Sequence, residues 1–410
     1  MSRPEPRFYP LLERLRDHLR QQRYSWSVTQ SYPVAIRRFL RDLERRGRRI
    51  ETLTSTDVEG YLDALRLKRR CGVIPNHSRR MHRAAIRMLL RLERGEWPPK
   101  VAPTAAHEIA QLETVAAYEL WMTERRGLSA ETRRTARAEA HRLLQWLREK
   151  HITPATLCVA DLDRYVALRG AAMRRTSITL LVSTLRGVLR HLHRSGKMPV
   201  DLAGTLRGPP MYALERIPST ISTPDVERVL QAAQHDHSLL GRRDYAIVML
   251  LATYGLRASE ITQLRLSDVD WRHERLHIRH SKTGAHSDLP LLRAPADAII
   301  KYLRHARPVT KERAIFIRAS APDRALRSSS AVHAVVTRRL AAAGVVTTGK
   351  HGAHLLRHSR AVSLLRGGVA LNVIGAVLGH RSARATAVYL KLATEDLRLV
   401  ALEVPAQVAP

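Results

Sequence analysis

Cysteine is nearly absent. The 410 residues hold two, Cys71 and Cys158, and neither lies in a CxxC or Cys/His zinc spacing. That excludes a disulfide framework and a thiolate zinc site. Long apolar runs are missing too. The longest uncharged one, YAIVMLLATYGL at 245–256, is too short to span a bilayer. The N-terminus, MSRPEPRFYP, has no apolar signal core. Acidic residues are scarce: 37 Asp and Glu face 70 Lys and Arg, a formal net charge of +33. No acidic cluster is placed to hold two Mg²⁺ ions, which argues against a metal-dependent nuclease. A soluble, intracellular, cytoplasmic protein is expected, with no membrane partner, no metal and no cofactor.

The excess of positive charge points to a partner. Charge this far from zero destabilises a compact chain through self-repulsion, and a polyanion offsets it. The arginines are spread along the whole chain, which suits extended contact with nucleic-acid phosphates better than a short membrane-anchoring patch. Double-stranded DNA is the expected partner, with a nucleoid-associated location. Apolar residues make up 44% of the chain, enough for real cores.

Two proline-rich stretches, GEWPPKVAPTAA (95–106) and LRGPPMYALERIPST (206–220), divide the sequence. They bound an extra N-terminal helical domain at 1–100, a second helical domain at 107–205 and a third domain at 216–404. The first two read as one unit repeated. Leu43, Leu53, Asp57 and Tyr61 align without a gap on Leu147, Leu157, Asp161 and Tyr165. Asp57 and Asp161 sit at helix starts, with apolar residues following at helical spacing. Both units are all-helical with cationic outer faces. They could grip two stretches of DNA or one longer stretch, and one copy could instead be a spacer.

The third segment mixes helices with a few strands. STPDVERVLQAA begins a helix, with Ser222 or Thr223 as cap and Pro224 in the first turn. DYAIVMLLATYGL is a buried helix ended by Gly255. RLHIRH alternates as a strand, SKTGA turns, and SDLPLL returns. From about 328 onward the chain reads as helix. The fold class is mainly α with a small β-sheet.

Four stretches of this segment carry candidate chemistry. In TYGLRASEITQLRLSDVDW, Arg257 falls at a corner between helices, beside N–H groups that favour an anion. Glu260 follows three residues later and could hold it. In RHSKTGAHSDLPL, Lys282 sits at the hairpin tip. In GKHGAHLLRHSRAVSLLRGG, His354 and Arg357 are three apart on one helix, so they share a face. Arg357 offers a planar fork matched to phosphate oxygens. In LGHRSARATAVYLK, nine residues would separate His380 and Tyr389 by about 13 Å on an unbroken helix. Gly379 as a helix stop and Ser382 as an N-cap would fold that distance away.

Each signal alone is ordinary; their order is not. Residues 220–400 resemble the catalytic domain of the tyrosine recombinases, or phage integrase family, and 107–205 resembles its core-binding helical domain. The family's arginine after a Gly-Leu corner, hairpin lysine, His-x-x-Arg pair, Gly-His and nucleophilic tyrosine match Arg257, Lys282, His354 with Arg357, His380 and Tyr389. The extra copy at 1–100 and the YLK after the tyrosine depart from the usual pattern, which leaves subfamily and assembly open. The resemblance implies helical DNA-binding domains followed by an α+β catalytic domain. It also implies an integrase or site-specific recombinase of a mobile element, acting through a 3′-phosphotyrosine intermediate without metal or ATP. The two arginines would clamp the scissile phosphate, His354 would take the phenol proton, Lys282 would protonate the leaving 5′-oxygen and His380 would bond the phosphate. A homo-tetramer on DNA, alone or with sister recombinases, is implied as well. The tail EDLRLVALEV (395–404) is apolar at helical spacing and could dock on a neighbouring subunit or on its own domain. Two alternatives stand beside this reading: type IB topoisomerase-like relaxation of DNA, and a catalytically silent DNA-binding or architectural protein.

Overall fold

The structure is a computed structural model that describes residues 8–70, 78–99, 104–212, 218–280, 284–347, 349, 351–380 and 382–390. Lys282, Cys71 and the 395–404 tail lie outside the described residues. The chain separates into two compact units, 100–215 and a second built from 1–99 together with 216–410.

Among the described residues of 8–99 there are four α-helices: α1 (Tyr9–Gln21), α2 (Trp26–Arg45), α3 (Ser55–Arg70) and α4 (Ser78–Arg94). Their inward stripes meet in one core that includes Leu12, Leu15, Phe39, Leu43, Leu62 and Leu89. The start of α3 is fixed locally. Asp57 accepts hydrogen bonds from the Thr54 backbone N–H (2.9 Å) and hydroxyl (2.7 Å), quieting a donor the first turn leaves free.

The 100–215 unit repeats this plan with α5 (Ala106–Glu124), α6 (Ala130–Glu149), α7 (Val159–Gly170) and α8 (Arg175–Arg194). Asp161 again caps the third helix, here through the Cys158 backbone N–H at 3.2 Å. Leu147, Leu157 and Tyr165 are buried, as are Leu43, Leu53 and Tyr61, the residues aligned with them. The buried tyrosines find different partners. Tyr61 bonds His82 Nδ1 (3.0 Å), while Tyr165 donates to Glu139 (2.7 Å).

Residues 218–390 form helices around a small sheet. These are α9 (Thr223–Gln234), α10 (Leu239–Tyr254), α11 (Ala258–Gln263), α12 (Arg293–His305), α13 (Ser329–Ala342), α14 (Ala353–Arg366), α15 (Leu371–Val377) and α16 (Ala383–Ala387). Ser222 caps α9 by accepting from the Asp225 N–H (3.2 Å), with Pro224 in the first turn. α10 is buried along most of its length and stops at Gly255, whose φ is +64°, a left-handed conformation that costs glycine nothing. β1 (Val269–Asp270), β2 (Arg275–Arg279) and β3 (His286–Pro290) pair antiparallel in the order β1-β2-β3. β2 and β3 are the two strands of the sequence alternation; β1 is too short to leave one.

Asp244 anchors this half. It is fully buried and receives Arg243 (3.0 Å), Arg338 (2.9 Å) and Arg339 (3.0 Å). A carboxylate so deep is tolerable because both its oxygens accept from guanidinium groups.

Candidate active site

The site is built on two chain reversals tied together by arginines. The first is the α10–α11 corner at Gly255. The second is the α15–α16 corner at Gly379, whose φ is +61°. Arg357, on α14, donates from Nη1 to the Gly255 carbonyl (2.8 Å) and from Nη2 to the Leu378 carbonyl (2.6 Å). Arg257 donates from Nη2 to the Gly379 carbonyl (3.0 Å). Each guanidinium thus reads backbone oxygens that its planar fork fits. Arg357 is 3% exposed. Burial, and next the charge of Arg257, pulls its pKa down to about 10, so it remains a cation at neutral pH.

Glu260 holds Arg257 from below. Its Oε2 accepts from the Arg257 backbone N–H and its Oε1 from Nη1, both at 2.7 Å. Burial raises the Glu260 pKa, but the bonds from His280 and Arg257 outweigh it and keep the carboxyl below its usual range. His280, the last residue before the hairpin turn, completes the cluster. Its Nδ1 lies 2.7 Å from Glu260 Oε1 and its Nε2 lies 2.8 Å from Ser287 Oγ. The pairing assigns a proton to Nδ1, since a carboxylate accepts only.

The Gly379 bend removes the separation a continuous helix would impose. α15 ends at Val377, and α16 begins after Ser382, which has extended backbone but makes no side-chain cap bond. The rings of His380 and Tyr389 come to lie 6.3 Å apart and nearly parallel. His380 Nδ1 is 2.8 Å from Thr386 Oγ1. Burial first, then Arg357 and Arg257, lowers the His380 pKa to about 4, so the ring is neutral near pH 7.

Tyr389 is 1% exposed and packs with Ala361, Val362, Ile374 and Leu378. Its hydroxyl is 3.1 Å from His358 Nδ1. Burial raises the phenol pKa, while Arg357 and Arg257 act against that rise. His354 lies on the exposed face of α14, one turn before His358, with the two rings 6.0 Å apart. His354 and Arg357 therefore share a helix but differ in burial.

The structure thus brings together Arg257, Glu260, Arg357, His380 and Tyr389, and puts His354 at their exposed margin. Lys282 lies outside the described residues. Two histidines were not singled out from the sequence, His280 and His358. HLLRHS does place His358 one helical turn after His354, which was a usable signal. Nothing in RLHIRHSK distinguishes His280 from the other histidines of the hairpin.

Comparison with known proteins identifies the family. Residues 219–396 match the phage integrase family, and residues 11–92 match its N-terminal SAM-like domain. In Sinorhizobium fredii, the protein named "Putative integrase/recombinase y4gC" is 49% identical over 189 residues, 46% of this chain and 97% of the relative. A second, named y4rA under the same description, is 34% identical over 294 residues, 72% of this chain and 71% of the relative. Among solved structures, a XerH site-specific recombinase bound to palindromic difH substrate in a post-cleavage complex superposes with a TM-score of 0.56. It is 16% identical and covers 74% of this chain and 98% of its own.

Proposed function

The chain belongs to the phage integrase family, the tyrosine recombinases that cut and rejoin DNA strands, and from that premise we propose that Arg257, Lys282, His354, Arg357, His380 and Tyr389 form one phosphoryl-transfer site. A phosphodiester is anionic, and its transition state gathers further charge on the non-bridging oxygens. The guanidinium groups of buried Arg357 and half-buried Arg257 are suited to meet that charge, and a fixed donor of this kind is worth about 10²–10³-fold in rate. Glu260 keeps Arg257 aimed.

Tyr389 is the nucleophile. Its phenol must lose a proton as the oxygen attacks phosphorus, and His354 accepts it from the open side of α14. His358 holds the phenol before substrate arrives. Neutral His380 bonds a phosphate oxygen without adding charge. Lys282 protonates the 5′-oxygen as it leaves. The phosphate passes from the 5′-oxygen to the tyrosine oxygen, leaving a 3′-phosphotyrosyl bond and a free 5′-hydroxyl. Because the ester is conserved, a second 5′-hydroxyl can reverse the step with no ATP. The helical domains at 1–100 and 107–205 grip double-stranded DNA, and the 216–404 domain carries out transfer within a homo-tetramer in the nucleoid.

One observation supports this most directly: the corners at Gly255 and Gly379 are cross-tied by Arg357 and Arg257 beside the Tyr389 ring. The test uses nicked duplexes tiled from the DNA flanking the gene, in EDTA and without ATP. A covalent adduct at a 3′-phosphate is expected. An adduct at the 5′ end, or cleavage only with added Mg²⁺, would overturn the reading.

A further inference from the structure

Beside the site stands a positive charge with no counter-ion among the described residues. Arg360 lies on α14 three residues after Arg357, so the two are neighbours on the helix surface, with Cβ atoms about 5–6 Å apart. Both root at the Gly255 corner: a Cβ added to Gly255 would lie 3.7 Å from Arg357 Cγ and 3.7 Å from Arg360 Cβ. Arg357 is bonded to two backbone carbonyls, and Arg257 to Glu260 and the Gly379 carbonyl. Arg360 is different. It is half-buried, its Nε is shut away from solvent with no hydrogen-bond partner, and among the described residues no carboxylate pairs with it. Burial lowers its pKa, yet a guanidinium stays protonated.

A cation partly withdrawn from water beside two others is costly until an anion reaches it. An orphaned Nε also marks a resting rotamer that a better-bonded one can replace. In the strand-exchange reading, on which this inference rests, Arg257 and Arg357 are engaged by the scissile phosphate. Arg360 stands about 4.5 Å further along α14 than Arg357, and successive phosphates of one strand climb about 3.4 Å along the duplex axis. We propose that Arg360 binds the phosphate next to the scissile one on the same strand, so that α14 grips two consecutive phosphates through Arg357 and Arg360. Its planar fork fits two non-bridging oxygens of a phosphate. Arg360 takes no part in breaking the bond. It fixes where the strand stops in the Arg257–Arg357 clamp, and the site therefore requires a charged linkage beside the one it cuts.

The test removes the charge from each partner in turn, with full-length protein and nicked duplexes at sub-saturating concentration. Each duplex carries one neutral methylphosphonate linkage, immediately 5′ of the scissile phosphate, immediately 3′ of it, or several phosphates away. Arg360→Met keeps most of the arm and drops the charge. On the all-phosphate duplex it should slow adduct formation about tenfold or more, as loss of a charge-assisted hydrogen bond does. One of the two adjacent neutral linkages should slow the unaltered protein by a similar factor and slow the Met protein no further. The distant linkage should slow both proteins equally. Arg360→Lys, which keeps the charge without the fork, should recover part of the rate, and Arg360→Gln gives the same comparison if the Met protein is unstable. If the Met change and both adjacent linkages slow the reaction by factors that multiply, Arg360 acts only through the fold, by facing the negative end of α10 for instance, and the proposal is overturned. An unaltered rate for the Met protein on the all-phosphate duplex overturns it too. Absence of adduct with the unaltered protein on the all-phosphate duplex would strike the catalytic reading instead, so the two failures are distinguishable.

Discussion

Gly379 leaves no room for a side chain, and replacing it with alanine has a cost that can be worked out. Its φ of +61° is left-handed, which costs an alanine about 1–2 kcal/mol. The added Cβ would also lie 2.3–2.5 Å from three ring atoms of His280. That ring is 1% exposed and pinned by Glu260 and Ser287, so it yields only by breaking a hydrogen bond to a carboxylate, about 1.5–3 kcal/mol. Together Gly379→Ala should destabilise the protein by about 2.5–5 kcal/mol. It should slow adduct formation too, because Arg257 bonds both the Gly379 carbonyl and Glu260. In a His280→Ala background the clash is gone and only the backbone term of about 1–2 kcal/mol remains. Urea denaturation of the four proteins gives the cycle, and the coupling between the two sites should be about 1.5–3 kcal/mol. A coupling near zero, or a Gly379→Ala protein within about 0.5 kcal/mol of the unaltered one, would refute the reasoning.

His358→Phe keeps a ring beside Tyr389 but removes its hydrogen bond, and should cost about 1 kcal/mol in urea denaturation; an unchanged midpoint would mean the bond contributes nothing. His82 and His380 are both lowered by burial to about 4 from an ordinary 6.5. Folding therefore favours their neutral forms. The stability they support is complete above about pH 6.5 and is lost as pH falls towards 4. A urea midpoint that rises on acidification through that window would contradict this. Duplex affinity should fall about 10³-fold or more between 50 and 200 mM salt if six or more phosphates are neutralised; a fall of less than tenfold by fluorescence anisotropy would undercut the electrostatic argument.

What the sequence disclosed is what short-range chemistry dictates. Gly255 ends α10 because no other residue takes its φ freely, Ser222 caps α9 through its own hydroxyl, and the β2 alternation shows which side faces the core. Gly379 is legible for the same reason. The repeat also showed through, because Leu43 with Leu147 and Tyr61 with Tyr165 are core residues whose spacing the core imposes. Roles fixed by distant partners were not legible. His280 differs from other histidines only because Glu260, Ser287 and Gly379 converge on it. Asp244 is an ordinary aspartate until α13 brings Arg338 and Arg339 to it. Tyr61 and Tyr165 align in sequence, yet only the fold reveals that one meets a histidine and the other a glutamate.

The central claim is that the Tyr389 oxygen becomes bonded to DNA phosphorus. The direct measurement is to digest the trapped adduct and locate the nucleotide-bearing peptide by mass spectrometry, alongside Tyr389→Phe protein on the same DNA. The modified peptide should contain Tyr389, and the Phe protein should bind DNA within about twofold of normal, as expected when only a nucleophile is removed, and yield no adduct. A phosphoryl group on any other residue, or an adduct persisting in the Phe protein, would contradict the account.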